Sequence, residues 1–129
     1  MAKDSLPRPT DAELEILKVL WRRGPSTVRE VFEALSEARG TGYTTVLKLM
    51  QIMADKGLVK RDEGERAHRY EAALAEDETQ RQLVGDLLRK AFDGSAKNLV
   101  LQALSSERAS AEELAEIRRM LDELERGER

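Results

Sequence analysis

The fold is decided by the stretch from residue 43 to residue 70, which reads YTTVLKLMQIMADKGLVKRDEGERAHRY. Its first half repeats apolar residues at the three- and four-residue spacing of an amphipathic helix, and Gly57 follows where a left-handed C-cap residue is expected. Two short extended runs come next, at residues 58–61 and 67–70, and a charged turn at 62–66 separates them. The stretch therefore predicts a helix followed by a β-hairpin with a charged tip.

Two further helices are predicted before this stretch, and a capping box marks the start of each. Residues 10–13 and 27–30 both have the pattern Thr-x-x-Glu, in which a hydroxyl and a carboxylate satisfy the unpaired amides of a helix start reciprocally. The first helix is predicted to end at the Gly-Pro pair at 24–25 and the second near Gly40. Three helices and a hairpin in this order predict a winged helix-turn-helix domain over residues 1–75.

The remainder, residues 76–129, has helical periodicity and no strand signal. We predict helices over residues 82–92 and 97–104, and a third after a capping box at 110–113. The last helix spaces its apolar residues alternately by three and four, the pattern of a coiled-coil contact. A segment this small buries too little surface to be stable alone, so we predict a helical dimerisation domain completed by a second copy, and a mainly α protein. The residues assigned to this contact are Leu87, Leu88, Leu101, Leu104, Leu114, Ile117, Leu121 and Leu124.

The third helix has a polar face opposite its apolar one, which leaves that face available for a partner. The major groove of B-DNA accepts one α-helix, and a helix-turn-helix contacts base edges with the N-terminal residues of its second helix. Hydroxyls at the helix start suit phosphates, a lysine one turn further supplies a cation, and an amide two turns further suits adenine. Arginines on the hairpin suit flanking phosphates or a minor groove. The residues predicted to contact DNA are Tyr43, Thr44, Thr45, Lys48, Gln51, Arg61, Arg66 and Arg69.

The composition argues against several classes of protein. The chain has no cysteine and one histidine, which excludes disulfides, thiolate zinc sites and a cysteine nucleophile. Its carboxylates do not accompany a nucleophile or a phosphate-binding loop, so we predict no enzyme, no cofactor and no metal. No apolar run approaches the length of a membrane helix, so we expect a cytoplasmic protein that does not bind membranes directly.

The net charge of -3 arises mainly in the second half of the chain, and the first half is nearly neutral. A nearly neutral winged helix gives only weak electrostatic support for binding nucleic acid. A second interpretation therefore stays open, in which the winged helix is a protein-interaction module without direct DNA readout.

The chain resembles the penicillinase-repressor family of BlaI, MecI and CopY-like regulators. The resemblance follows TDAELEIL at 10–17, LW at 20–21, TVREV at 27–31, YTTV at 43–46, KGLV at 56–59 and RAHRY at 66–70. It implies a homodimeric transcriptional repressor that binds a dyad operator in double-stranded DNA and controls a resistance or stress operon.

The resemblance also implies how repression ends. In the family a membrane sensor-protease pathway leads to cleavage of the repressor at an Asn-Phe bond in its dimerisation region. Aligned by the apolar segment at residues 99–104, this chain has Gln102 and Ala103 at that bond. Ile52 stands where family members often carry an arginine, and the cysteine cluster of the copper-sensing members has no counterpart here.

Overall fold

A computed structural model of the protein describes residues 6–64, 66 and 68–127. Along these residues the order of elements is α1 (Asp11–Arg23), α2 (Val28–Arg39), α3 (Tyr43–Lys56), β1 (Val59–Asp62), β2 (Arg69–Ala72), α4 (Glu76–Ala91), α5 (Ala96–Ser106) and α6 (Ala111–Arg126). The predicted mainly helical fold, with three helices and then a hairpin, is confirmed. The chain divides into two compact units, residues 1–84 and 85–129, so the division falls within α4. The functional boundary at residue 75 remains a prediction.

The core of the first unit combines one face of each of its first three helices with one face of the hairpin. The most deeply buried apolar side chains are Ile16, Leu17, Leu20, Val31, Val46, Met50, Met53, Leu58 and Tyr70. They follow the three- and four-residue spacing that gives each helix a single apolar stripe. Because the stripe of α3 faces inward, its polar stripe faces outward.

Both predicted capping boxes of the first unit are formed. At α1 the Thr10 hydroxyl accepts a hydrogen bond from the Glu13 N–H at 3.3 Å, and the Thr10 N–H donates to Glu13 Oε1 at 2.9 Å. At α2 the Glu30 N–H donates to Thr27 Oγ1 at 3.1 Å, and the Thr27 N–H donates to Glu30 Oε1 at 2.8 Å. These bonds fix the first turn of each helix and therefore the direction in which it enters the core.

The two strands pair in antiparallel register as one hairpin, and both begin later than the sequence predicts. Leu58 is not part of the first strand because its N–H donates to the Met53 carbonyl at 2.9 Å, which closes the C-terminal end of α3. The strand therefore starts at Val59. Glu65 of the predicted turn and Ala67, the predicted start of the second strand, lie outside the described residues.

The apolar periodicity predicts a helix that begins at Gln82, but α4 begins earlier, at Glu76. The Ala75 N–H donates to the Glu78 carboxylate at 3.0 Å, and acidic residues in the first turn are favourable at the positive end of a helix. Gln82 in turn donates from Nε2 to the Pro7 carbonyl at 3.0 Å. The first turns of α4 are therefore part of the N-terminal unit.

In the second unit, α5 and α6 contain no buried residue along their described length. Their caps are the hydroxyls of Ser95 and Ser110, which accept from the N–H groups of Asn98 and Glu113. Large apolar side chains are exposed along this unit, namely Leu87, Val100, Leu101, Met120, Leu121 and Leu124. Among the described helices, none combines the length and the apolar character needed to span a bilayer.

Candidate nucleic-acid interface

The outward face of α3 carries Thr44, Lys48 and Gln51, and all three side chains are exposed. On the opposite side of the same helix, Val46 and Met50 are completely buried. The N-cap of α3 is Gly42, which has no side chain to accept a hydrogen bond from the N–H groups of the first turn. Such a helix start can accept an anion through its own backbone.

The hairpin positions Arg61 beside this face. Arg61 lies directly opposite Tyr70 in the strand register, and it forms an ion pair with Glu63. A hydrogen bond with the Tyr70 side chain and a second with Glu63 raise the pKa of Arg61, so its guanidinium stays charged. The arginine is thus held at a defined place on the hairpin and keeps an exposed side chain.

Arg69 is held on a different side of the hairpin. Its Nη1 atom lies 3.6 Å from Glu30 Oε1, and Glu30 also pairs with Arg23 at 3.6 Å. The hydrogen bond from the Thr27 N–H, together with these two cations, lowers the pKa of Glu30. Arg69 therefore joins the hairpin to the first turn of α2 through a carboxylate that remains charged.

A shallow groove of about 360 Å³ lies between the start of α2, the outward side of α3 and the hairpin. Its lining side chains are Thr27, Val28, Arg29, Tyr43, Leu47, Gln51, Arg61, Arg66, His68 and Tyr70. Of the residues predicted to contact DNA, the groove brings together Tyr43, Gln51, Arg61 and Arg66. Thr44, Thr45 and Lys48 are exposed on α3 without lining the groove, and Arg69 lines another depression beside Pro25 and Glu71.

Arg29 lines the same groove but is not among the residues predicted from the sequence to contact DNA. Its guanidinium carbon lies 4.8 Å from the centre of the Tyr43 ring. Arg29 is exposed in the first turn of α2, the helix that crosses the DNA backbone in a helix-turn-helix. Its position in the first turn of this helix could have identified Arg29 as a DNA contact from the sequence. Its contact with Tyr43 could not be predicted from spacing.

The other predicted site residues lie in the second unit. Four of the predicted dimerisation residues are exposed, namely Leu87, Leu101, Leu121 and Leu124, and four are half-buried, namely Leu88, Leu104, Leu114 and Ile117. Gln102 and Ala103, the predicted cleavage site, are exposed in α5. In the part of the chain that the structure describes, no group of three or more His, Cys, Asp or Glu residues is arranged to hold a metal ion.

Together, the three-helix core, the outward polar face of α3 and the hairpin that carries Arg61 and Arg66 define a winged helix-turn-helix. Folds of this class insert the second helix of the helix-turn-helix into a groove of DNA. The model of the penicillinase repressor family matches residues 9–123, and the chain belongs to that family. This is a family of transcriptional repressors and not of enzymes, in agreement with the prediction from the sequence.

The relatives cover nearly the whole chain. It is 41% identical to the transcriptional regulator BlaI of Mycobacterium tuberculosis over 128 residues, which cover 98% of this chain and 91% of the relative. It is 25% identical to the penicillinase repressor of Bacillus licheniformis, with 92% of each chain covered. These matches agree with the resemblance that the sequence analysis describes.

Two solved structures share the fold of part of the chain. One is the solution structure of the DNA-binding domain of the repressor BlaI, and the other is monomeric Bacillus licheniformis BlaI in complex with the blaP half-operator. Each has a TM-score of 0.51 and 26% sequence identity, and the match covers 57% of this chain and 89% of the other.

Proposed function

We propose that the protein is a transcriptional repressor that binds a dyad operator as a homodimer, with α3 in the major groove of each half-site. The observation that carries this proposal is the polarity of α3, whose Thr44, Lys48 and Gln51 are exposed while Val46 and Met50 are completely buried. An exposed polar face is expected on the one helix that this fold inserts into DNA. Monomeric Bacillus licheniformis BlaI, which shares the fold of part of this chain, binds the blaP half-operator, and this supports the proposal that the present chain binds operator DNA.

The contacts would divide by chemistry. Gln51 can form a bidentate pair with adenine, and Lys48 can donate to a guanine edge or a phosphate. Arg61 and Arg66 line the groove beside α3, so they are suited to the phosphates that flank the contacted bases. A repressor that binds operator DNA would act in the cytoplasm, the compartment that contains that DNA.

Dimerisation is supported by the apolar surface of the second unit. Leu121 is 54% exposed and Leu124 58% exposed, and α6 buries no residue. Pairing with the α6 helix of a second copy would cover these side chains, and each of these half-exposed leucines would contribute about 1 kcal/mol when buried in this way. Two identical subunits match the symmetry of a dyad operator, with half-sites separated by one helical turn, about 10 bp, or a multiple.

The proposal is tested with the purified protein and labelled DNA from upstream of its own gene. Fluorescence anisotropy should show a Kd that rises steeply with salt, because each phosphate contact releases bound counterions. A scrambled duplex of equal length should bind at least about a thousandfold more weakly. Binding that is absent, or insensitive to salt, would contradict the proposal.

The same experiment distinguishes the second interpretation, a protein-interaction module. Such a module would be retained neither by heparin nor by any promoter fragment, since its groove would serve a polypeptide. A mobility shift with the upstream fragment at low salt would exclude this interpretation.

We also propose that repression of a resistance or stress operon ends through a sensor-protease pathway that cuts between Gln102 and Ala103. Both residues are exposed in α5, and the absence of buried residues along this helix favours local opening. Fragments isolated from host cells treated with a β-lactam should include one that begins at Ala103. An intact chain during full induction would contradict this part of the proposal.

A further inference from the structure

Arg29 is held against two aromatic rings at the start of α2. Its guanidinium carbon lies 4.8 Å from the centre of the Tyr43 ring and 5.9 Å from that of Phe32. Both distances are within the range of a cation–π contact. The two rings also pack edge to face, with centroids 5.7 Å apart and an angle of 78° between their planes. The pair of rings therefore forms a support for the guanidinium.

The hydrogen-bond donors of Arg29 are used differently from those of two arginines of the hairpin, Arg61 and Arg69. Arg61 forms an ion pair with Glu63, and Arg69 forms one with Glu30. For Arg29, the interactions within the described residues are the two ring contacts, which draw on the charge of the guanidinium and supply no acceptor oxygen to its N–H groups. The N–H groups lie on its edge, and that edge can bind a phosphate bidentately.

The Tyr43 ring, unlike the N–H groups of Arg29, is already engaged in contacts within the protein. The side chain is 37% exposed, but Arg29 and Phe32 both lie against its ring. A ring held in this way is suited to orienting a neighbouring cation.

We infer that Arg29 contacts a DNA phosphate and that Tyr43, which the sequence predicts to contact DNA, acts chiefly by holding Arg29 in place. This inference rests on the proposed function, and it assigns to that function a cation from α2 together with a positioning residue from α3. It predicts that the aromatic ring of Tyr43, and not its hydroxyl, matters for binding.

The first experiment measures the slope of log Kd against log salt concentration for Arg29→Ala on the operator duplex. The dimer loses one phosphate contact from each subunit, so the slope should fall by about two and binding at low salt should weaken by at least about tenfold. Scrambled DNA should lose affinity by a similar factor, since a phosphate carries no sequence information. Arg29→Lys should restore the slope because it retains the charge.

The matched control is Lys18→Ala, which removes the same charge from α1. Lys18 pairs with Glu15 at 3.1 Å and does not line the groove. The salt slope measured for Lys18→Ala should therefore equal that of the wild type. A slope for Arg29→Ala that also equals the wild-type slope would overturn the inference. If the wild-type protein itself shows no salt-sensitive binding to the operator, the proposed function fails and not only the role of Arg29.

The second experiment separates a positioning role of Tyr43 from direct contact. Tyr43→Phe keeps the ring and should bind within about twofold of the wild type, whereas Tyr43→Leu should bind several-fold more weakly. In the Arg29→Ala background, Tyr43→Leu should cause no further loss. Thermal unfolding checks that each variant is folded. Loss of affinity in Tyr43→Phe that adds to the loss in Arg29→Ala would show a direct DNA contact and overturn the positioning role.

Discussion

The Nζ atom of Lys56 lies 2.6 Å from Oε1 of Glu13, which joins the C-terminal end of α3 to the N-terminal end of α1. Glu13 is 3% exposed and is also the acid of the α1 capping box with Thr10. One buried carboxylate therefore accepts a hydrogen bond from the Thr10 N–H at the start of α1 and fixes the C-terminal end of α3, the helix proposed to enter DNA. The ion pair links the stability of the domain to the orientation of α3.

Removing the cation of this pair should destabilise the protein. Lys56→Met keeps the apolar stem but leaves the Glu13 carboxylate without its cation, and we expect unfolding to become easier by about 2 kcal/mol. The cost is below that of a fully buried pair because the Lys56 side chain is 34% exposed. Urea denaturation at a fixed protein concentration measures it. Lys18→Met, which breaks an exposed pair with Glu15, should cost less than about 0.5 kcal/mol; equal losses would contradict the prediction.

Glu13 should also make stability depend on pH in the acid range. Burial acts to raise the pKa of Glu13, but hydrogen bonds from Lys56 and from the Thr10 N–H lower it below its ordinary value of 4.5. The carboxylate is therefore more acidic in the folded state, so its contribution is present above pH 4.5 and is lost as the pH falls through the lower, folded pKa. Denaturation at several pH values should show a smaller acid loss for Glu13→Gln than for the wild type. Parallel curves would show that other groups cause the loss.

On the outward face of α3, Gln51→Ala should relax sequence discrimination. If Gln51 pairs with an adenine, its loss should weaken operator binding by about tenfold for each half-site and leave scrambled DNA nearly unaffected. Competition with operators that carry each of the four base pairs at successive positions identifies the base concerned. The exposed Asp55, one turn further along α3, provides a control through Asp55→Asn. Equal loss on all sequences would assign Gln51 to the backbone.

The two hairpin arginines should behave differently when each is replaced by alanine. Arg66 lines the groove, so Arg66→Ala should reduce the salt dependence of binding and weaken all sequences alike. Arg69 pairs with Glu30 on α2, so Arg69→Ala should act mainly by loosening the hairpin, with a smaller change in the salt slope. Salt titrations of both variants test this. Identical slopes for the two variants would refute the distinction.

A charge in the apolar surface of α6 should separate the proposed dimer. Leu121→Glu places a carboxylate where we expect a second helix, so light scattering should give the mass of a monomer. Operator affinity should fall with it, because only one half-site is then held at a time. Arg118→Ala changes an exposed polar position of the same helix and should leave the mass unchanged. A dimer in Leu121→Glu would show that the contact lies elsewhere.

The sequence predicted the elements of this fold because each has a local cause. The Thr-x-x-Glu pairs, the glycine after α3 and the spacing of apolar residues act within a few residues of one another, and the structure confirms them. Apolar periodicity predicts a later start of α4 than the structure shows, because it depends on apolar residues alone. The helix is extended towards its N-terminus by the cap in which the Ala75 N–H donates to Glu78. Contacts between distant residues could not be predicted, and these include Lys56 with Glu13 and Arg29 with Tyr43. Both depend on how the helices pack, which no local pattern contains.

In the proposed dimer, the uncovered leucines of α6 would make the cellular concentration of the protein part of the control of repression. If two copies must meet before these helices gain a stable interior, the population of paired repressor grows with the square of the protomer concentration when that concentration is low. Halving the supply of the chain would then remove more than half of the active species. A modest fall in synthesis, or a modest rise in degradation, would open the promoter abruptly.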